Sequence, residues 1–118
     1  MCQATGVARI FVFEPNADVG SLLELVIDRL GHEPVVPDTA DVEQAEVDAA
    51  VIEPCEGAGL ELARRLRARE VPVVFASIYP STPELLGLEP VAYLMKPFAL
   101  YALERALADA LRTSAAPL

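Results

Sequence analysis

The sequence predicts a three-layer α/β fold, a parallel sheet with helices on both faces. Three observations carry this. Short segments rich in Val, Ile and Phe recur along the chain, and between them Leu, Val and Ala recur at helical spacing. The strand segments are apolar throughout rather than alternating, as strands buried on both faces are. With 53% hydrophobic residues in 118, the chain can bury the core such a fold needs.

The elements follow in order. Ala8–Phe13 is the first strand, broken by Glu14-Pro15-Asn16. Ala17–Leu30 is a helix with Val19, Leu22, Leu23, Val26, Ile27 and Leu30 at helical spacing, and Gly31 fits its end. Glu33–Val36 is a short strand stopped by Pro37, and Asp38–Glu46 has helix-starting chemistry with room for about two turns. Asp48–Glu53 is a strand and Pro54–Gly59 a loop. Leu60–Glu70 is a helix with Leu62, Ala63 and Leu66 inward, and Pro72–Ala76 is the fourth strand. Ser81–Gly87 is a short helix, with Pro83 in its first turn and Gly87 at its end. Val91–Met95 is the fifth strand. Ala99–Arg112 is the last helix, with Leu103, Ala106, Leu107, Ala110 and Leu111 on one face, and Thr113–Leu118 is expected to fray. Right-handed crossovers leave two orders for these five β-α units, the Rossmann type and the flavodoxin type 2-1-3-4-5, and the second is expected here. A chain of this length is most simply one domain, 1–118, with its core at about residues 8–112.

Composition removes several function classes. The formal net charge is −9. Between Leu30 and Ala63 there is no Lys or Arg, against nine acids, so direct nucleic-acid binding through that side is disfavoured. The apolar runs fall short of a membrane span, and MCQATGVARI lacks the basic start and apolar stretch of a signal peptide. Cys2 and Cys55 are too few for a disulfide framework, and a cytoplasmic location is expected. Arg64, Arg65, Arg67 and Arg69 are expected to form a solvated helix face.

In either strand order, function belongs at the carboxyl ends of the strands, which carry Glu14, Glu53, Ser77 and Lys96. Lys96 is the only lysine, in Tyr93-Leu94-Met95-Lys96-Pro97-Phe98, and it faces the ends of the first and third strands. Two carboxylates and an ammonium in one cleft form an ion-pair constellation, whether functional or purely structural.

These pieces together resemble the receiver domain of bacterial two-component response regulators, the CheY-like superfamily. The most specific piece is Tyr93–Phe98, close to the family's aromatic-x-x-Lys-Pro-Phe segment. The resemblance implies a flavodoxin-like (βα)5 fold with an acidic pair binding Mg²⁺ after the first strand. It also implies an Asp phosphoacceptor ending the third strand, a Lys and a hydroxyl contacting the phosphoryl group, and a switch aromatic on the fifth strand. On this chain Glu14 matches the first acid and Pro15 falls on the second. Glu53 matches the phosphoacceptor, Ser77 the hydroxyl, Tyr93 the switch aromatic and Lys96 the lysine.

The departures point to a degenerate receiver. Pro15 removes a carboxylate, so Mg²⁺ binding by Glu14 and Glu53 is expected to be weak or lost, with no other cofactor. Glu53 is one methylene longer than Asp, which misaligns phosphoryl transfer. The expectation is a non-enzymatic pseudo-receiver in signal transduction, acting by protein–protein contact on a histidine kinase or output protein. A homodimer through the fourth-helix, fifth-strand and fifth-helix face is also expected, with Tyr101, Glu104 and Arg105 as exposed candidates beside Tyr93. The alternatives are an active receiver accepting phosphate from a histidine kinase, and a small flavin- or nucleotide-binding module. Glu14-Pro15-Asn16 is a poor phosphate cradle for the latter. His32 reads as a surface cap residue. Cys55 reads as an inert thiol, because Glu53 and Glu56 would raise its pKa. Gly57-Ala58-Gly59 lacks the third glycine of a dinucleotide loop.

Overall fold

The computed structural model describes residues 7–36, 42, 44–54 and 57–115. Five strands and four helices appear among them: β1 (Arg9–Phe13), α1 (Ala17–Arg29), β2 (Glu33–Val35), β3 (Ala49–Ile52), α2 (Ala58–Ala68), β4 (Val73–Ser77), α3 (Pro83–Leu86), β5 (Ala92–Met95) and α4 (Leu100–Ala115). The sheet is parallel throughout, in the order β2-β1-β3-β4-β5. This is the flavodoxin-like order expected from the alternation.

Local chemistry sets the element ends. Asn16 caps α1, its Oδ1 accepting from the Val19 N–H at 3.0 Å, and Gly31 leaves the helix at φ +89°. Thr82 caps α3 in the same way, accepting from the Leu85 N–H at 3.2 Å, with Pro83 at the first helical position. The helix after β3 begins at Ala58, two residues before the expected start at Leu60. The reason lies in the backbone. Gly57 turns at φ +91°, and Gly59 packs so closely that a Cβ on it would lie 2.0 Å from the Glu53 carbonyl oxygen.

The helix expected over Asp38–Glu46 falls mostly outside the described residues. Within it, the Ala45 N–H donates to the Val42 carbonyl at 3.3 Å in one tight turn, and Val42 is fully buried. The tail expected to fray from Thr113 is helical through Ala115.

Two cores flank the sheet. One packs Ile10, Val12, Leu23, Ile27, Leu103 and Leu107 between the sheet and α1 with α4. The other packs Phe11, Ile52, Leu62, Leu66, Phe75 and Leu85 between the sheet and α2 with α3. Leu22, one of the residues at helical spacing in α1, is 48% exposed. The arginine run at α2 is the expected solvated face only in part: Arg64 and Arg69 are exposed, Arg65 and Arg67 half-buried. Arg67 donates from Nε to the Leu88 carbonyl at 2.9 Å, and Arg69 donates to the carbonyls of Val42 at 2.6 Å and Ala45 at 2.7 Å. Arg64 pairs with Glu84 at 3.0 Å. His32 does not cap a helix outward. It is half-buried, and its Nδ1 accepts from the Ala8 N–H at 3.1 Å, tying the start of β1 to the entry of β2.

Candidate functional site

The parallel register brings four strand ends to one edge. Phe13 pairs with Ile52, Ile52 with Phe75, and Ser77 with Met95, so the next residues out, Glu14, Glu53 and Lys96, meet above the sheet. Lys96 Nζ donates to Glu14 Oε1 at 2.6 Å and to Glu53 Oε1 at 2.7 Å. The Glu14 and Glu53 side chains are only 3% and 9% exposed and that of Lys96 15%, so this triad is an internal ion-pair cluster rather than a surface bridge. The Glu14 Oε2 accepts from the Asn16 N–H at 3.0 Å. Lys96 is fixed from behind, its own backbone N–H donating to the Ser77 carbonyl at 2.8 Å.

Burial pushes the Lys96 ammonium towards a lower pKa, but the hydrogen bonds to Glu14 and Glu53, with the charges of both, outweigh it and hold the group above its ordinary value of 10.5. The ammonium therefore stays charged across the physiological range.

Ser77 and Tyr93 belong to a second, separate network. The Ser77 hydroxyl accepts from the Tyr79 N–H at 3.1 Å, and the Tyr93 hydroxyl donates to the Tyr79 carbonyl at 2.7 Å. The Tyr93 ring lies 6.0 Å from that of Phe75, tilted by 54°. The structure thus brings Glu14, Glu53 and Lys96 into direct contact, and Ser77 and Tyr93 into the wall of the same cleft, which has a volume of about 650 Å³. Tyr101, Glu104 and Arg105 lie away from it, exposed on α4. Cys55 lies outside the described residues.

Sequence reasoning missed Asn16 and Tyr79. A signal existed for Asn16, a helix-capping residue directly before the helix pattern. None existed for Tyr79, which acts through its backbone.

Mg²⁺ demands near-octahedral oxygen coordination at about 2.0–2.1 Å. The described side chains do not fit it. One oxygen of each glutamate is held by Lys96, the second oxygen of Glu14 is held by Asn16, and Pro15 offers no donor. Among the described residues no group of three or more His, Cys, Asp or Glu could hold a metal ion. Among them, too, no helix is long and apolar enough to cross a membrane.

No protein-family model matches the sequence. No curated protein is significantly similar to it. The structure, by contrast, has clear counterparts. The signal receiver domain of a modulated diguanylate cyclase from Desulfovibrio desulfuricans G20 superposes with a TM-score of 0.78 at 20% identity, over 92% of this chain and 97% of that one. The receiver domain of the sensor histidine kinase PA1611 from Pseudomonas aeruginosa PAO1, which holds a magnesium ion in its active-site cleft, gives 0.76 at 21%, over 90% and 98%. HP1043, an orphan response regulator of H. pylori, gives 0.74 at 18%, over 91% and 98%. With the strand order, the element lengths and the triad at the carboxyl edge already in place, these superpositions show that the chain has the CheY-like receiver-domain fold.

Proposed function

We propose that this chain is a degenerate receiver, a non-enzymatic signalling module in which an ion-pair cluster stands where a phosphorylation site would be. The observation that carries the proposal is Lys96 Nζ, held within 2.7 Å of both Glu14 and Glu53. Those contacts occupy two of the three ammonium donors and one oxygen of each carboxylate. Mg²⁺ then binds weakly or not at all, and Glu53 is not a phosphoacceptor. Signalling proceeds by protein–protein contact. The candidate surface is the edge formed by α3, β5 and α4, where a four-residue α3 leaves β5 only partly covered and Met95 and Tyr101 are 45% and 68% exposed. A histidine kinase, an output protein or a second copy of the chain fits such an edge.

Within this reading Glu53 is a remnant rather than a phosphate mimic. A mimic would draw both Lys96 and the Ser77 hydroxyl to itself. Lys96 turns to Glu53, whereas Ser77 is bonded to the Tyr79 N–H and Tyr93 to the Tyr79 carbonyl. One carboxylate charge also differs from the charge of about −2 on a phosphoryl group.

The test is incubation with Mg²⁺ and acetyl phosphate, or with beryllium fluoride, followed by mass spectrometry and NMR. Unchanged mass and spectra are expected. A phosphorylated Glu53, or shifts at Ser77 and Tyr93 matching those of an active receiver, would establish the active reading instead. Pro15→Asp combined with Glu53→Asp is expected to restore Mg²⁺ binding, measured by calorimetry.

A further inference from the structure

Ala8 and Arg9, at the start of β1, are each held through both backbone groups. The Ala8 N–H donates to His32 Nδ1 at 3.1 Å, and the Ala8 carbonyl accepts from the Glu33 N–H at 2.8 Å. The Arg9 N–H donates to Asp48 Oδ2 at 2.8 Å, and the Arg9 carbonyl accepts from the Asp48 N–H at 2.7 Å. Two of these bonds end on titratable side chains, one on the β2 side and the other on the β3 side.

His32 Nδ1 can accept only while it carries no proton, so the bond fixes the ring as neutral with its proton on Nε2. A proton taken from solvent by Nδ1 turns the acceptor into a donor. Two N–H groups then point at one another, and the Ala8 N–H, on a residue only 9% exposed, loses its partner. The adjoining strand has little else to hold it. β2 spans three residues at the sheet edge, pairs with β1 alone, and contains Pro34, which has no N–H to give.

β2 packs against β1 and α1. The charged groups at this corner are Arg9 from β1, Asp28 and Arg29 from the last turn of α1, Glu33 on β2 itself, and Asp48 ahead of β3. Arg9 pairs with Glu33 at 3.5 Å and donates to the Glu46 carbonyl at 2.8 Å. Asp48 is committed to the Arg9 N–H and Glu33 to the Arg9 guanidinium, so neither carboxylate stands in for the imidazole at Ala8.

We propose that His32 is a proton-operated latch on the β2 edge: uptake of one proton at Nδ1 releases the Ala8 N–H, and β2 parts from the start of β1 while the rest of the sheet stays paired. Carboxylates take up protons well below the range in which imidazoles do, so the bonds between Asp48 and Arg9 persist through the change. The chain thereby has an edge whose pairing depends on acidity, at the opposite end of the sheet from Lys96.

The experiment follows the full chain, isotope-labelled for NMR, between about pH 8 and pH 5, where a histidine changes charge. His32 is the sole histidine, so its ring signals have one source. In its neutral form the ring should show the Nε2–H tautomer. As the ring titrates, exchange protection at Ala8 and Glu33, corrected for the intrinsic pH dependence of amide exchange, should fall about tenfold or more, as for a buried donor left unsatisfied. Protection at Asp48 and Ala50, whose N–H groups bond to the Arg9 and Pro72 carbonyls, should not change. His32→Asn offers a non-titrating Oδ1 in place of Nδ1 and should keep Ala8 protected throughout. His32→Ala should show the low protection at every pH, and it carries the test should the Asn variant not fold. Protection at Ala8 and Glu33 that stays flat while His32 titrates would overturn the proposal, as would the parent's pH dependence in either variant. An Nδ1–H tautomer overturns it too, and so does a loss of protection across the whole sheet, which is global acid unfolding rather than release of one edge.

Discussion

The two faces of the sheet are closed in different ways. On one, α1 and α4 supply 13 and 16 residues of regular helix. On the other, α2 and α3 supply 11 and 4, and the connection from β2 to β3 contributes a buried Val42 on a single tight turn. A helix satisfies its own carbonyls, whereas irregular backbone must find donors elsewhere. On the second face those donors are arginines. Arg67 and Arg69 reach from the end of α2 to the carbonyls of Leu88, Val42 and Ala45, so guanidiniums tie down this side. The first face needs no such clamps and instead has apolar surface to spare, with Leu22, Leu25 and Leu100 each about half exposed. The teaching is that a charged run on a helix can be structural and an apolar stripe can be surplus.

The comparison can be broken most violently at Gly59. A methyl there would meet the Glu53 carbonyl oxygen at 2.0 Å and the Pro54 Cα at 2.5 Å, both backbone atoms that cannot swing away. Gly59→Ala must push the start of α2 off the end of β3, and a loss of about 3 kcal/mol or more is expected in denaturant unfolding. An Ala variant as stable as the parent would mean that α2 is loosely seated, and the clamping argument would lose its anchor.

Next in size is Lys96, which serves both faces from the sheet edge. Lys96→Met leaves two buried carboxylates facing each other and should cost about 3 kcal/mol near neutral pH. The pH dependence has a definite sign. Because the folded pKa of Lys96 is raised, its contribution is complete below the unfolded value near 10.4 and is lost as pH rises through the higher folded value. From neutrality upward, the gap between parent and variant should therefore persist until about pH 10.5 and close above it. A gap that closes between pH 7 and about pH 9 would contradict the ion-pair assignment.

Much of this was legible in the sequence, and the reasons differ by residue. Ile10, Val51 and Val74 signal strands because buried parallel strands are apolar on both faces. The meeting of Glu14, Glu53 and Lys96 follows once strand order is known, because parallel strands deliver their carboxyl ends to one edge. The roles of Arg67 and Arg69 were not legible, since a backbone carbonyl as acceptor leaves no mark on residue identity. His32 was misread for the same reason, its partner being the Ala8 N–H. The exposure of Leu22 was invisible too, because helical spacing gives a stripe but not how much of it the neighbouring helix reaches.

The third test goes to the clamps themselves. Arg69→Ala removes donors from two carbonyls at once, at the cost of about 1–2 kcal/mol once partial exposure of the guanidinium is allowed for. Arg69→Lys should recover only part of this, because one ammonium cannot match the fork geometry that spans both carbonyls. Hydrogen exchange should speed up around Val42 in the variant while α1 and α4 stay protected. Uniform loosening of both faces would show that the arginines add stability globally rather than closing one side.

The smallest expected effect is on the other face, and it sharpens the contrast most. Leu25 is 52% exposed on α1. If the apolar stripe is surplus to folding, Leu25→Gln should change stability by no more than about 0.5 kcal/mol, because glutamine forms helix about as well as leucine and little buried area is lost. A Leu25→Gln loss above about 1 kcal/mol would mean that α1 is sealed against the molecule more tightly than its exposure indicates. The two faces would then differ only in which residues close them, and not in how completely they are closed.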